Sequence, residues 1–369
     1  MLKKNKLRLG VVAAAAAATI AFGAAAPAYA DPIGFKPLNG AGSDTTQDVL
    51  NGVATVVTSI GSYDATGSAT IQTTSGGPTF NRPNGSTSGV QALSASINNT
   101  GVRTFPASGG VSITGQIDFA RSSSAPSSSF VGTDLTFIPF ARDAVTYAVS
   151  QASDFPRDIA LGAASQDAVS PAPFTLRNIY RGAVTSYTDG DFNPVTIRPI
   201  IPQAGSGTRS FWLGALGLTE TSIIGTPTTD IGNTAQEHNG TYIRNAGDIA
   251  PFSIAQYIAQ GNHGALPTNV IERRGNIALG GVDTVKPILL TPGGGVELNS
   301  SFPINRLVFN VVQSSRLTGT STADTLLKNT FSGTTSSVCA ATAQIKQYGF
   351  GTIGSLCGNT TTYKQAFRY

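Results

Sequence analysis

The stretch from Pro202 to Arg209 carries the most specific chemical signal in the sequence, because it joins a strand-like segment to a helix-like segment through a Gly-Ser-Gly-Thr turn. Small residues at a helix start let backbone N–H groups converge on one point, and the helix dipole adds positive potential there. Ser206, Thr208 and Arg209 can donate further hydrogen bonds. The pattern predicts a site for a small anion.

Two further small, polar turns precede helix-like segments: Gly40 to Gln47 before Val49 to Ile60, and Asn84 to Gly89 before Val90 to Ile97. Asp44 and Gln47 have the spacing of a capping box. Ser43, Asp44 and Ser86 can therefore be interpreted either as helix N-caps or as part of an anion site.

The elements that must position these turns alternate between strands and helices. The pattern predicts strands at Ile117–Ala120, Leu135–Pro139, Ala144–Val149 and Phe302–Val312, and helices at Ser210–Leu218, Phe174–Gly182, Asp248–Ala259 and Ala323–Phe331. Such alternation is typical of an α/β fold with mainly parallel sheets. The length favours two lobes over one, because a single hydrophobic core rarely organises so long a chain.

The N-terminus has the composition of an export signal. Basic residues from Lys3 to Arg8 precede an apolar run from Val11 to Ala26, and Ala28-Tyr29-Ala30 matches a cleavage site. The run is shorter than the roughly 20 apolar residues of a membrane anchor, and no cysteine follows it for lipid attachment. We expect residues 1–30 to be removed and the mature protein to be secreted and soluble.

Charge argues against nucleic-acid binding. The chain has 24 basic and 20 acidic residues, and four of the basic residues lie in the predicted signal, which leaves equal numbers of both kinds. Nucleic-acid-binding domains normally carry a basic surface instead.

The two cysteines, Cys339 and Cys357, predict one disulfide in an exported chain. A zinc site built on them would also need His238 and His263, and the spacing of the four residues follows no familiar zinc pattern. The sequence therefore predicts no metal and no cofactor, and it assigns neither histidine a role.

Together these motifs resemble the extracytoplasmic phosphate-binding proteins of ATP-driven phosphate importers, which have the two-lobed type 2 periplasmic-binding-protein fold. That family carries a Gly-Ala-Gly-(Ala/Ser)-Thr-Phe turn, a Gly-Ser-Ser-Gly-Gly turn, an Ile-Asp-Phe-Gly-Ala-Ser-Asp-Ala-Pro segment and a Gly-Ser-Gly-Thr turn. The counterparts occur here in the same order: Gly40–Thr45, Gly85–Gly89, Ile117–Pro126 and Gly205–Thr208. The resemblance implies a ligand cleft between two lobes, each a mainly parallel sheet flanked by helices.

The resemblance also implies which residues contact the ligand. They are Ser43, Asp44, Thr45, Ser86, Arg121, Ser124, Ser206, Gly207, Thr208 and Arg209. Ser86 and the second-lobe turn match the family directly, whereas Asp44 stands where the family has threonine and Ser124 where it has aspartate. Asp44 is then a hypothetical replacement for the carboxylate that accepts the proton of monohydrogen phosphate.

One arginine of the family is replaced. Many relatives have arginine before the Gly-Ser-Gly-Thr turn, where this chain has Pro202. The sequence offers Arg121, Arg142 and Arg209 as substitutes, since a guanidinium group suits tetrahedral oxyanions.

The resulting prediction is a secreted, monomeric solute-binding protein, not an enzyme, that holds phosphate or a similar anion and can deliver it to an ABC permease. Residues 31–140 and 285–369 are expected to form lobe I, and residues 141–284 lobe II. The alternatives are a cell-surface structural or adhesive protein without a ligand, and a secreted serine hydrolase. For the hydrolase, Ser206 would be the nucleophile, but Ala204 stands where the nucleophile elbow requires glycine.

Overall fold

A computed structural model describes residues 31–97 and 103–369; the predicted export signal lies outside the described residues. In these two ranges the chain forms β1 (Leu38–Gly42), β2 (Ile60–Ser62), β3 (Thr70–Ile71), β4 (Phe80–Asn81), β5 (Thr104–Phe105), β6 (Val111–Ser112), β7 (Phe119–Ser122), β8 (Leu135–Ser150), β9 (Asp158–Ile159), β10 (Ser186–Thr188), β11 (Pro194–Thr196), β12 (Arg198–Pro199), β13 (Asp248–Ser253), β14 (Ile277–Leu279), β15 (Gly281–Val282), β16 (Ile288–Leu290), β17 (Val296–Leu298), β18 (Asn305–Gln313) and β19 (Lys364–Gln365). The α-helices are α1 (Gln47–Ala54), α2 (Ser86–Ser96), α3 (Leu176–Tyr180), α4 (Gly207–Ala215), α5 (Ile254–Gly261), α6 (Thr322–Phe331), α7 (Ser337–Ala340) and α8 (Thr342–Gln347).

One large sheet runs through the molecule in the order β12-β13-β8-β18-β7-β1-β2, and β14 and β19 also pair with β8. Pairing is parallel between β1 and β2, β1 and β7, and β12 and β13. It is antiparallel wherever β8 or β18 takes part in this sheet. The α/β class is confirmed, but the expectation of mainly parallel sheets is wrong. The chain crosses between the lobes along β8 and returns along β18, and two crossings in opposite directions must be antiparallel.

Strand β8 is a single strand of 16 residues where the sequence predicts two. Residues Leu135 to Ala144 pair with β18, and Val145 to Val149 pair with β13. The polar residues Arg142 and Asp143, which suggest a break in the sequence, lie inside the strand. This change of partner strand marks the passage of β8 from one lobe to the other. The lobe boundaries at residues 140 and 284 stay a prediction.

Several helix boundaries differ from the predicted ones. The segment from Asp248 begins as strand β13, because it is buried along its whole length beside β8, and only α5 behind it is helical. Helix α1 ends at Ala54, and Ile60 lies in β2. Its N-cap is Thr46, without a side-chain hydrogen bond, so Asp44 forms no capping box.

Two pairs of apolar clusters make up the cores. The first pair contains residues of β1, β7, the first half of β8, α1 and α2. The second pair contains residues of the second half of β8, β13, α3 and α4. Cys339 and Cys357 form the predicted disulfide within the first pair. Among the described residues, no helix has the length and apolar character needed to cross a bilayer.

Candidate functional site

The N-terminus of α4 lies at the centre of a buried polar cluster between the lobes. Ser206 is the N-cap, and its hydroxyl accepts hydrogen bonds from the backbone N–H groups of Thr208 (3.1 Å) and Arg209 (3.2 Å). Ser206 and Thr208 are buried, and Trp212 anchors the same helix in the second core. The helix starts three residues before the predicted Ser210, so its first turn is formed by the Gly-Ser-Gly-Thr motif itself.

Two serines of the first lobe face this helix start. The Ser86 hydroxyl lies 3.2 Å from the Ser123 hydroxyl and accepts a hydrogen bond from the Ser123 N–H at 3.0 Å. A Cβ atom on Gly207 would lie 2.5 Å from the Ser123 oxygen and 2.6 Å from the Ser86 oxygen. Glycine at this position therefore allows the two lobes to come together around the hydroxyl groups.

Thr45 connects both lobes from the turn between β1 and α1. Its hydroxyl lies 3.4 Å from the Thr208 hydroxyl and donates to the Glu237 carboxylate at 2.5 Å. The other oxygen of Glu237 accepts a hydrogen bond from Ser206 at 3.2 Å. Glu237 comes from a second-lobe loop, and the sequence offered no periodic pattern that would have singled it out.

Arg306 supplies a guanidinium group from β18. It lies directly opposite Asp143 of β8 in the sheet register and forms a buried ion pair with it at 2.8 Å. The same Nη2 atom donates to the Thr208 hydroxyl at 2.7 Å, and the group lies 5.2 Å from the centre of the Phe211 ring. Its Nη1 atom is buried and has no hydrogen-bond partner among the described residues.

Asp44 and His238 complete the cluster, and both are buried. Asp44 Oδ2 lies 3.6 Å from His238 Nδ1. Burial and the neighbouring Glu237 carboxylate raise the pKa of Asp44 well above its usual range. Burial, together with the charge of Arg273, lowers the pKa of His238 to about 4, so the imidazole is neutral at physiological pH.

Glu237 is the ionised member of the carboxyl pair. Burial opposes its ionisation, but the neighbouring His238, the Thr45 hydrogen bond and the Arg306 guanidinium lower its pKa overall. Two carboxyl groups this close share a proton, and the one with better donors around it keeps the negative charge.

A groove of about 490 Å³ opens beside the cluster. It lies between the lobes, because Ser86 and Thr87 of one lobe and Phe211 and Ala215 of the other line it. Since Ser86 belongs both to the groove and to the cluster, the groove reaches one edge of the cluster.

The structure brings six predicted residues to the cluster: Asp44, Thr45, Ser86, Ser206, Gly207 and Thr208. None of the three arginines that the sequence offers reaches it. Arg121 is buried in the first lobe, where its guanidinium donates to the Ser43 and Gly42 carbonyls and to the Ser62 hydroxyl. It fixes the β1–α1 turn from behind. Arg209 instead pairs with Glu220 at 2.8 Å and with Asp230 at 3.3 Å.

The remaining candidates occupy the edges of the site. Ser124 is only partly buried, and its side chain hydrogen-bonds to Ser122. The neighbouring Ser123 reaches the cluster instead. Ser43 is buried next to Asp44, and its hydroxyl has no partner in the described part of the chain. Arg142 donates to the Ser300 carbonyl at an exposed position.

The architecture, with a polar cluster between two lobes, is that of the type 2 periplasmic-binding-protein fold. The chain belongs to the PBP superfamily: the family model described as a PBP superfamily domain matches residues 14–278. No curated protein matches the sequence.

Solved structures agree with this assignment. The crystal structure of an ABC-type phosphate transport receptor from Vibrio cholerae covers 86% of this chain and 100% of the receptor, with 15% identity and a TM-score of 0.51. The crystal structure of a DING protein has the same identity and TM-score; the match covers 86% of this chain and 91% of the DING protein chain. At this identity the similarity concerns the fold, so the resemblance read from the motifs is confirmed at that level.

Proposed function

We propose that the protein is a secreted solute-binding protein that holds phosphate or a similar oxyanion in the interlobe cluster. The observation that carries the proposal is the free Nη1 atom of Arg306, a buried cationic donor placed between the lobes beside the N-terminus of α4. A buried donor without a partner costs roughly 1–3 kcal/mol, and more when it is charged. An oxyanion would satisfy it.

The donors around Arg306 suit a tetrahedral anion. Ser86 and Ser123 come from one side, and Thr208 and the first turn of α4 come from the other. Hydroxyl groups can rotate their hydrogens toward a ligand, and the helix dipole favours negative charge at this end. Arg306 thus takes the place of the arginine that the sequence lacks at Pro202.

Carboxyl groups in the same cluster favour a ligand that brings its own proton. Asp44 Oδ2 has no partner among the described residues. Because Asp44 is the protonated member of the carboxyl pair, its proton must leave when phosphate binds; Oδ2 then accepts from the hydroxyl of monohydrogen phosphate, whereas sulfate has no proton to offer. We propose this role for Asp44. Asp44→Ala should therefore reduce the ratio of phosphate to sulfate affinity; an unchanged ratio would refute the role.

Thermal unfolding with phosphate, arsenate, sulfate, phosphonates and small carboxylates tests the function itself. A ligand at 100 times its dissociation constant should stabilise the protein by about 2.7 kcal/mol. Ser86→Ala and Thr208→Val should weaken the response, and Arg209→Gln should not, because Arg209 pairs with acidic residues outside the cluster. The phosphonates also test whether an organic group can lie in the adjoining groove.

A structural protein without a ligand is the second candidate, and one contact favours it. The Glu237 carboxylate already accepts hydrogen bonds from Thr45 and Ser206, as a bound anion would. An absence of stabilisation by every anion in the panel would support this candidate and refute ours.

The remaining parts of the proposal concern catalysis and partners. Ser206 donates to the Glu237 carboxylate and, among the described residues, has no hydrogen bond to an imidazole, which favours binding over serine hydrolysis. Ser206→Ala in a generic esterase and phosphatase assay would test for hydrolysis. Delivery to an ABC permease, a monomeric state and the secreted location complete the proposal.

A further inference from the structure

The three polar side chains behind the oxyanion donors form a group with the composition of a metal site. Asp44, Glu237 and His238 each offer one ligand atom, and these atoms all lie within 4.8 Å of one another. All three residues are buried, and His238 is 1% exposed. Asp44 comes from the β1–α1 turn of one lobe, whereas Glu237 and His238 come from a loop of the other.

Asp44 and His238 are each held in place by other bonds, while a ligating atom of each has no hydrogen-bond partner among the described residues. The Thr45 N–H donates to Asp44 Oδ1 at 3.1 Å, which leaves Oδ2 without a partner. The His238 carbonyl accepts from Gln260 at 2.7 Å, and both imidazole nitrogens lack hydrogen-bond partners in the described residues. Buried imidazole nitrogens are normally hydrogen-bonded or bound to metal.

Glu237 is oriented in the way that metal-ligating carboxylates usually are. Thr45 and Ser206 donate to its two oxygens, and its backbone carbonyl accepts from the Ser253 N–H at 3.0 Å. A carboxylate has about four lone-pair sites, so it can accept these hydrogen bonds and still bind a cation. Such supporting bonds tune metal affinity.

We propose that Asp44, Glu237 and His238 bind a divalent transition-metal ion that joins the two lobes. The imidazole nitrogen favours zinc and similar ions over magnesium and calcium, which prefer oxygen ligands alone. Three protein ligands leave a fourth coordination position open. If the proposed oxyanion binds, it lies next to this position, since Thr45 contacts both Glu237 and Thr208.

The metal site and the proposed selectivity of Asp44 exclude each other in one molecule, because both use Oδ2. The metal proposal needs only the three side chains, whereas the phosphate proposal needs Arg306 and the hydroxyl groups. Each can therefore fail while the other stands.

Calorimetric titration of chelator-treated protein with zinc chloride tests the proposal. The protein should be purified without a polyhistidine tag, and phosphate should be titrated separately. We expect one zinc ion per chain, and loss of this stoichiometric binding in Asp44→Asn and in His238→Gln. His263→Gln is the matched control, because His263 is the other histidine of the chain and is exposed. Thr45→Val should weaken zinc binding by about 10-fold or more, as loss of an orienting bond does.

A second measurement does not depend on the folding of any variant. Cobalt chloride added to the unmodified protein should give the intense visible absorption of a four-coordinate site, and zinc should abolish it. Absence of stoichiometric zinc and cobalt binding, or zinc binding that survives His238→Gln, would overturn the proposal. Zinc binding without any phosphate response would leave it standing and refute the proposed function.

Discussion

Removing the Arg306 guanidinium should separate its structural role from its ligand role. In Arg306→Met the Asp143 carboxylate loses its ion-pair partner at 2.8 Å in a site where the two side chains are 3% and 0% exposed. Breaking a buried pair by removing one partner typically costs about 3–5 kcal/mol. The hydrogen bonds to Asp143 from Ser253 and Ala255 remain and moderate that cost.

The double variant Arg306→Met with Asp143→Asn tests the origin of that loss. Asparagine keeps an acceptor for Ser253 and removes the unpaired charge, so most of the stability should return, because neutral replacement of a buried pair is often nearly free of cost. Phosphate affinity should not return. Loss of a hydrogen bond from a charged donor costs roughly 1.5–3 kcal/mol, or about 10- to 150-fold in affinity.

The assay is urea unfolding followed by the fluorescence of Trp212, the one tryptophan of the chain, together with calorimetric titration of phosphate. Arg209→Gln is the matched control and should change stability by less than about 1 kcal/mol, because its pairs are partly exposed. A double variant with the affinity of the unmodified protein would refute the role of Arg306. A single variant that loses less than about 1 kcal/mol would refute the buried-charge argument.

Three other changes probe the lobes and the cleft. Burial raises the pKa of Asp64 from 3.8 to about 7, so the folded state binds this proton more tightly than the unfolded state and the protein loses stability as pH rises from 4 to 7. Asp64→Asn should therefore add up to about 4 kcal/mol of unfolding free energy at about pH 8 and almost none near pH 4. An equal gain at both pH values would contradict this. Replacing Cys339 and Cys357 by alanine should lower the free energy of unfolding in urea by about 3 kcal/mol, because the disulfide closes a loop with a sequence separation of 18. Equal stability of the oxidised and the reduced protein would contradict a stabilising role for this disulfide. Gly207→Ala should weaken phosphate binding by roughly 5- to 150-fold, since its methyl group would displace two serine hydroxyls, whereas Gly214→Ala in the same helix meets open space and should leave the titration unchanged.

Local features of the fold and of half the site could be read from the sequence. The Gly-Ser-Gly-Thr turn specifies its own structure, since Ser206 caps the helix that begins at Gly207. The turns around Asp44 and Ser86 could be identified from their small polar residues, although neither residue caps the helix that follows. Each of these predictions depends on residues within a few positions of one another, where local hydrogen bonding decides the conformation.

The arginine and the Glu237–His238 pair could not be identified in this way. Arg306 reaches the cluster because the register of β18 sets it opposite Asp143, more than 160 positions earlier in the chain. Register between distant strands is decided by tertiary packing, and no local pattern encodes it. Glu237 and His238 lie in an irregular loop. They are held by Ser253 and Gln260 of their own lobe, and Glu237 also accepts from Thr45 of the other lobe; these partners are distant in the sequence.

The crossing of the lobes along β8 and β18 also decides how the cleft can open. The two strands are hydrogen-bonded to each other where they pass between the lobes, so opening must twist a paired ribbon instead of rotating a free loop. Arg306 and Asp143 lie within this ribbon, and a ligand held by Arg306 therefore acts on the pivot itself. The backbone amides of the ribbon should exchange with deuterium more slowly when the ligand is bound. The pivot and the proposed anion anchor are one element, so a change that alters the motion of the lobes should also alter the affinity for the proposed anion.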